Sequence, residues 1–256
     1  MILTGHQPNY LPYLGFFEKI ASADAFLIVD TVQFVKRGPF GWMHRNRIRT
    51  ANGWQWLSLP VKTHGKFHQR ICDAGLDEHL PWRRKHLRSI SMAYARSPHF
   101  AHHSDFFEEI YAREWDRLSP LCEELIRYMI ASFGIQTEIH KLSDMNVPGK
   151  GAEMIVNFCR ELGADSYLSG MHGRDYLDPA VFAEAGIKLI FQEYQHPVYR
   201  QCQGGDFIPG LSAIDLLFNA GPGSLSILKG GNDPDANPDG RVPQQTATPR
   251  DLPPSG

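Results

Sequence analysis

The apolar positions of the first thirty residues change their spacing twice. Residues 1–4 form a short apolar start, and Leu14, Phe17, Ile20 and Ala21 then recur at the spacing of one helical face over residues 14–23. Residues 25–29 make a second apolar run, closed by Asp30. Strand, loop, helix and strand in so short a stretch predict a βαβ unit. The connecting loop with its flanks reads GHQPNYLPYLGF (residues 5–16), in which Gly5 permits tight backbone geometry and Pro8 and Pro12 stiffen the path into the helix.

After Asp30 the pattern changes. Residues 46–50 and 54–61 flank Asn52 and Gly53, a pair suited to the positive φ angles of a tight hairpin turn. Helical spacing follows over residues 82–94, 105–117 and 120–133. The alternation then resumes with strands at 137–142, 166–168 and 188–191 and helices at 151–162 and 179–185, with Gly163 and Gly186 where two helices should stop. Ser212 and Asp215 fit a capping box for a last helix. This order predicts an α/β fold: a Rossmann-like, mainly parallel sheet with a basic β-hairpin and a helical insertion after the second strand.

Composition sets outer limits. With 256 residues and 42% hydrophobic content the chain can bury a sizeable core, and one α/β domain is expected over residues 1–230. Residues 231–256 hold six of the 18 prolines and no aromatic residue, which predicts a disordered tail. The start lacks the basic flank and long apolar core of a signal peptide, and no run approaches the roughly 18 apolar residues needed to cross a bilayer. A cytoplasmic location without a membrane partner is therefore expected. Cys72, Cys122, Cys159 and Cys202 form neither a disulfide framework nor a CxxC pair, and are expected to be reduced.

The net charge of −2 hides an uneven distribution. Residues 31–104 carry 13 Lys and Arg against three acids, whereas residues 105–230 carry 18 acids against 10 bases. Either the two segments neutralise each other, or part of the basic segment holds an anionic ligand, with phosphate the obvious candidate. Trp42, Trp54 and Trp56 beside the arginines could stack on bases, but the acidic second half opposes a long nucleic acid while tolerating a single nucleotide.

Ligands of open α/β sheets lie beyond the carboxyl ends of the strands, which singles out residues 5–13, 30–45 and 169–176. His6 stands just past the first strand with a helix start beyond it, where an imidazole can meet phosphate, act as an acid or base, or tie the loop to itself. Gln7 and Tyr10 share that loop. Arg45, Arg47 and Arg49 alternate along the hairpin and project from one face, with Asn46, Ile48 and Thr50 on the other. Three guanidiniums on one face call for opposing acids or for an anionic ligand. YLSGMHGRDYLD (residues 167–178) places Ser169 and Gly170 at a strand end and carries Tyr176, although it is neither GxGxxG nor a Walker sequence. HPVYRQ (residues 196–201) interleaves His196, Tyr199 and Gln201 as a binding loop would. His99, His102, His103 and Asp105 match no familiar ligand spacing, so no metal site is predicted, and no motif names a cofactor.

Together GHQPNYLPYLGFFEKIASADAF, RNRIRTANGWQWLSLPV, YLSGMHGRDYLD and FQEYQHPVYRQ with FIPGLSAIDLLFNAG resemble the WbqC-like protein family, in order over roughly residues 1–222. Residues 6–14, Asp30, Arg45, Asn46, Arg47, Gly170, Tyr176, His196, Tyr199, Gln201 and Asp215 carry the pattern. The resemblance implies a role in bacterial surface-polysaccharide or related biosynthesis, as a transferase placing an acyl or aminoacyl group such as glycyl on a nucleotide-activated amino sugar. In that reading His6 acts as general base or polarises the acyl carbonyl, His196 is the second catalytic candidate, and Arg45 and Arg47 hold the diphosphate. Gln7, Tyr10, Asp30, Asn46, Ser169, Gly170, Tyr176, Tyr199 and Gln201 would contact the substrate. The opening strand, His-bearing loop, helix and ADAFLIVD also resemble the nucleotidylyltransferase group, whose HxGH loop stabilises phosphate, although HQPNY lacks the second histidine. Nucleotidylyl transfer or ATP-dependent ligation is thus one alternative, and a non-catalytic binding or scaffold protein is another.

Overall fold

A computed structural model describes residues 1–38 and 41–231. The tail expected at 231–256 lies outside the described residues apart from Gly231. Five parallel strands form the main sheet: β1 (Ile2–His6), β2 (Ala25–Ile28), β5 (Glu138–Lys141), β6 (Ser166–Ser169) and β7 (Lys188–Phe191), ordered β5-β2-β1-β6-β7. A separate antiparallel hairpin pairs β3 (Arg45–Thr50) with β4 (Gly53–Ser58). Counted within the main sheet alone, the order is 3-2-1-4-5, the order that reverses direction beside the first strand.

The period-2 alternation of β2 divides the core. Phe26 and Ile28 face Phe16 and Phe17 of α1 (Leu14–Ala21) and the apolar side of α4 (Leu118–Phe133). Ala25 and Leu27 face Val156, Phe158 and Cys159 of α5 (Gly151–Leu162) and Phe182 of α6 (Pro179–Glu184). The insertion between β2 and β5 contributes the hairpin, α2 (Trp82–Tyr94), α3 (Ser104–Ala112) and α4, and it packs on the α1 side of the sheet together with α7 (Ile214–Ala220) and α8 (Ser224–Leu228). Among the described residues no helix is long and apolar enough to cross a membrane.

Three local expectations are corrected. The hairpin turn sits one residue earlier than expected: Thr50 pairs with Gly53, which leaves Ala51 and Asn52 as the turn, and Gly53 takes the left-handed φ of +127° where it re-enters the ladder. The helix expected over 105–117 stops at Ala112, because Arg113 is extended and the buried Trp115 folds back to donate its indole N–H to Ile110 O. Asp116 O then receives Leu76 N–H and Arg117 bridges Gly75, so pairing with a distant segment overrides the local helical pattern. No capping box forms at Ser212 and Asp215; α7 begins after Ala213 without a side-chain cap, and Asp215 turns inward with no exposed surface.

Candidate functional site

The reversal of strand order falls between β1 and β6. Their register covers Ile2 to Thr4 against Ser166 to Leu168, and the Thr4 hydroxyl donates to Leu168 O at 2.7 Å. One residue on, the two strands part. Gly5 stays paired with Leu27 of β2, while its carbonyl accepts the Nζ of Lys19 at 2.9 Å. Lys19 rises from the second turn of α1, a helix buried around most of its circumference, and is itself 3% exposed. Among the described residues no carboxylate forms an ion pair with it, and burial pulls its ammonium down to about 8. A Cβ built on Gly170, the first residue after β6, would lie 3.8 Å from that Nζ, so the strand end next to Lys19 is a position without a side chain.

His6 closes β1. Its Nδ1 lies 2.9 Å from Gln7 O. A carbonyl only accepts, so Nδ1 carries the hydrogen and Nε2 keeps its lone pair. The ring meets Phe16 edge-on at 4.9 Å. Burial first, and then the charge of Lys19, hold the imidazole down to about 3, which keeps it neutral throughout the physiological range. Ser169, the last residue of β6, is buried, with its hydroxyl donating to Gly170 O at 3.2 Å. Tyr176 ends the following turn and is exposed.

The loop after His6 joins this strand end to the hairpin. Tyr10 N–H donates to Met43 O at 2.7 Å and the Asn46 amide to Leu11 O at 2.5 Å, while Ala213 N–H donates to Pro12 O. Leu11 is held at φ +46°, a left-handed conformation that costs a non-glycine residue on the order of 1–3 kcal/mol. The Tyr10 side chain points the other way. It is fully buried, hydrogen-bonded to Tyr111 and, at 2.9 Å, to His86 Nδ1, and so serves the core in this conformation.

The arginine face has a different complement from either one expected. Across the hairpin, Arg47 and Arg49 pair with Trp56 and Trp54. The Arg45 guanidinium sits between Trp42 and Trp56 at 5.3 and 4.8 Å, and its Nε is buried with no hydrogen-bond partner among the described residues. Arg47 lies over Trp54 at 5.0 Å and donates to Gly210 O at 3.1 Å. Arg49 is buried and donates to the carbonyls of Gly53, Gly204 and Asp206. Indole faces and backbone carbonyls therefore occupy much of the space where acids or a ligand were expected, and Trp42, Trp54 and Trp56 are engaged by arginines.

The remaining candidates gather around Asp215. Tyr94 donates to its Oδ1 at 3.0 Å, and Tyr199 and Gln201 to its Oδ2 at 2.8 and 2.9 Å. Gln201 also exchanges hydrogen bonds with Ile208, so this cluster organises the loop that covers the arginine face. His196 uses both ring nitrogens in the same loop: Nε2 accepts Gly210 N–H at 3.0 Å, which requires Nδ1 to donate to Pro197 O at 2.8 Å. Asp30 stands past β2 and is fully buried; one oxygen accepts Ser143 N–H at 3.0 Å, and the other lies 3.9 Å from Lys141 Nζ with no hydrogen bond among the described residues. Thr31 and Ser143, flanking it, line a cleft of about 390 Å³ beyond β2 and β5.

The structure thus sets His6, Ser169 and Gly170 at the carboxyl ends of the neighbouring strands β1 and β6, places Arg45, Asn46 and Arg47 on the hairpin tied to the loop after His6, and draws Tyr10, Tyr199 and Gln201 into buried networks. His103 of the histidine cluster hydrogen-bonds Tyr128, and among the described residues no group of three or more His, Cys, Asp or Glu could hold a metal ion. Lys19 and Tyr94 escaped the sequence reading. The only signal for Lys19 was a charge inside a short helix flanked on both sides by apolar strands.

A profile described as the WbqC-like protein family matches residues 7–227. A protein of Mycobacterium tuberculosis, named Uncharacterized protein Rv1507c, is 36% identical over 225 residues, covering 87% of this chain and 95% of its own. No solved structure matches the chain significantly.

Proposed function

The chain belongs to the WbqC-like protein family, and from that premise we propose that it is a transferase placing an acyl or aminoacyl group on the amine of a nucleotide-activated sugar. The observation that carries the reading is the tautomer of His6: a neutral ring whose Nδ1–H is held by Gln7 O presents an Nε2 lone pair at the point where the strand order reverses. A sugar ammonium must lose a proton to solvent before it can attack. The resulting amine forms the N–C bond at the acyl carbonyl, His6 Nε2 takes the proton that nitrogen sheds, and the leaving group departs with the electrons of the broken bond. Such a ring, made weakly basic by burial and by Lys19, becomes effective once the bound substrate brings negative charge to it.

Arg45 supports the same reading. Its guanidinium is held between two indoles, its buried Nε has no hydrogen-bond partner among the described residues, and its charge suits an anion of the donor or acceptor, while Asn46 ties that strand to the His6 loop. His196, Tyr199 and Gln201 hold the loop that covers the arginine face. Substrates of this class are made in the cytoplasm, and the proposal puts the protein there.

The test is a thermal-shift screen against nucleotide sugars, nucleotides and acyl donors, followed by mass-spectrometric detection of the acylated sugar. A ligand at about 100 times its Kd should stabilise the protein by ~2.7 kcal/mol, and His6→Ala should abolish transfer while keeping the fold. Normal turnover by that variant would remove His6 from the chemistry. No shift with any compound would leave a scaffold role. The strand order with a His-bearing loop at its reversal also favours nucleotidylyl transfer as a second reading. Pyrophosphate release from ATP and Mg²⁺ would select it.

A further inference from the structure

We propose that Lys19 is the counter-charge for a phosphoryl group of the ligand, which it receives in the crevice between β1 and β6 alongside Gly5 and Gly170. The inference deepens the proposed function and rests on its placing the ligand at this crevice.

The fold compensates the buried charge of Lys19 only in part, through the field of the neighbouring Glu18. Lys19 is 3% exposed, and among the described residues it has no ion-pair partner; one carbonyl, Gly5 O, accepts from it. Taking an ammonium out of water is costly, and one neutral acceptor together with the charge of Glu18 does not offset it, since burial still outweighs both. A purely structural link to Gly5 O would be served by any neutral donor. The fold nevertheless carries a cation here, on a helix otherwise buried through Leu14, Phe16, Phe17 and Ile20.

The location supplies the reason. The β1–β6 ladder ends at Thr4 and Leu168, and the next acceptor of β1 is the one that Lys19 holds. Nζ thus lies where the strands diverge, at the switch point at which α/β sheets bind their ligands. On the β6 side the neighbour is Gly170, whose missing side chain leaves room 3.8 Å away. The backbone there has φ −64°, which any residue can adopt, so conformation does not require the glycine. An ammonium with further donors suits the tetrahedral array of phosphoryl oxygens, whereas a planar carboxylate is better matched by an arginine fork. The charge of Lys19 also holds down the basicity of His6, and a bound phosphoryl group would cancel that influence. One residue would therefore couple anion binding to the readiness of the base.

The test uses the full chain with inorganic pyrophosphate, UDP and acetate in calorimetric titrations, on wild type, Lys19→Met and His6→Gln. Pyrophosphate and UDP should bind wild type, and Lys19→Met should weaken both at least tenfold. That variant should melt at the same temperature or higher, since an apolar side chain of similar length replaces a desolvated cation. His6→Gln should keep anion affinity within about threefold even if transfer is lost, which separates failure of the base assignment from failure of this one. Unchanged affinity in Lys19→Met would overturn the proposal, as would wild type that binds neither phosphate compound or binds acetate equally well. A lower melting temperature with unchanged affinity of the folded protein would make Lys19 a structural pin only.

Discussion

The Tyr94 hydroxyl donates to the Asp215 carboxylate at 3.0 Å, joining α2 to α7 across 121 positions of the chain. The same hydroxyl accepts Arg49 N–H at 3.0 Å, so the hairpin is tied into the junction. Tyr199 and Gln201 complete the donor set, and burial raises the carboxyl above its ordinary range despite these three donors. Asp215→Ala should therefore strand several buried donors and cost about 3–5 kcal/mol, whereas Asp215→Asn, which keeps the shape and some acceptor capacity, should cost less. Urea denaturation of the two variants measures the difference. Equal and small losses would mean that the junction is not a structural hub.

Replacing Arg49 by lysine should be far from conservative. The planar guanidinium reaches Gly53 O at 3.1 Å and Gly204 O at 2.6 Å from different nitrogens, and a single ammonium cannot span the two. A loss of about 1–3 kcal/mol is expected, with faster amide exchange over residues 204–210. Exchange that accelerated evenly throughout the protein would count against this local tether.

Acid should destabilise the fold earlier than carboxylate titration alone predicts. Burial, with help from Arg45 and Lys36, holds His44 down to about 4, and burial holds His86 down to about 4 and His6 to about 3. In the unfolded chain each regains its usual value near 6.5. Between about pH 6.5 and 4 the unfolded state therefore binds more protons, and stability falls as pH falls, by at most about 1.4 kcal/mol per pH unit for each histidine. Denaturation midpoints at pH 7, 6 and 5 should follow that slope, and His86→Gln should flatten it. A midpoint that held constant from pH 7 to 5 would contradict neutral burial.

Gly170→Ala separates room from conformation. The new Cβ would stand at ordinary contact distance from Lys19 Nζ, so stability should stay within about 0.5 kcal/mol. If the crevice admits a ligand, the added methyl should weaken its binding in the same titrations. At Gly173, by contrast, a Cβ would lie 1.9 Å from Ser169 Oγ and force that side chain to move.

Much of this architecture could be read from the chain because it depends on local spacing. The alternation of β2, the helical face of α4 and the left-handed stops at Gly163 and Gly186 all depend on neighbours in sequence. The end of α3 was illegible because it depends on Trp115 and on pairing with residues 75 and 76. His6 could be singled out by its place after a strand. Lys19 could not, since its isolation arises only when β6 and its loop come alongside. The partners of the arginines were misjudged for a related reason: charge counting sees acids, but neither indole faces nor the carbonyls of a distant loop.

The central strand also dictates an order of assembly. β1 meets β2 within the first thirty residues, but its other edge must wait for residues 166–168. A nascent or truncated chain ending before β6 would carry an open, apolar strand edge, the feature most prone to pair with another copy. Synthesis must therefore pass the whole insertion before that edge is covered, which makes the stretch between β2 and β6 the period when this protein is most exposed to aggregation.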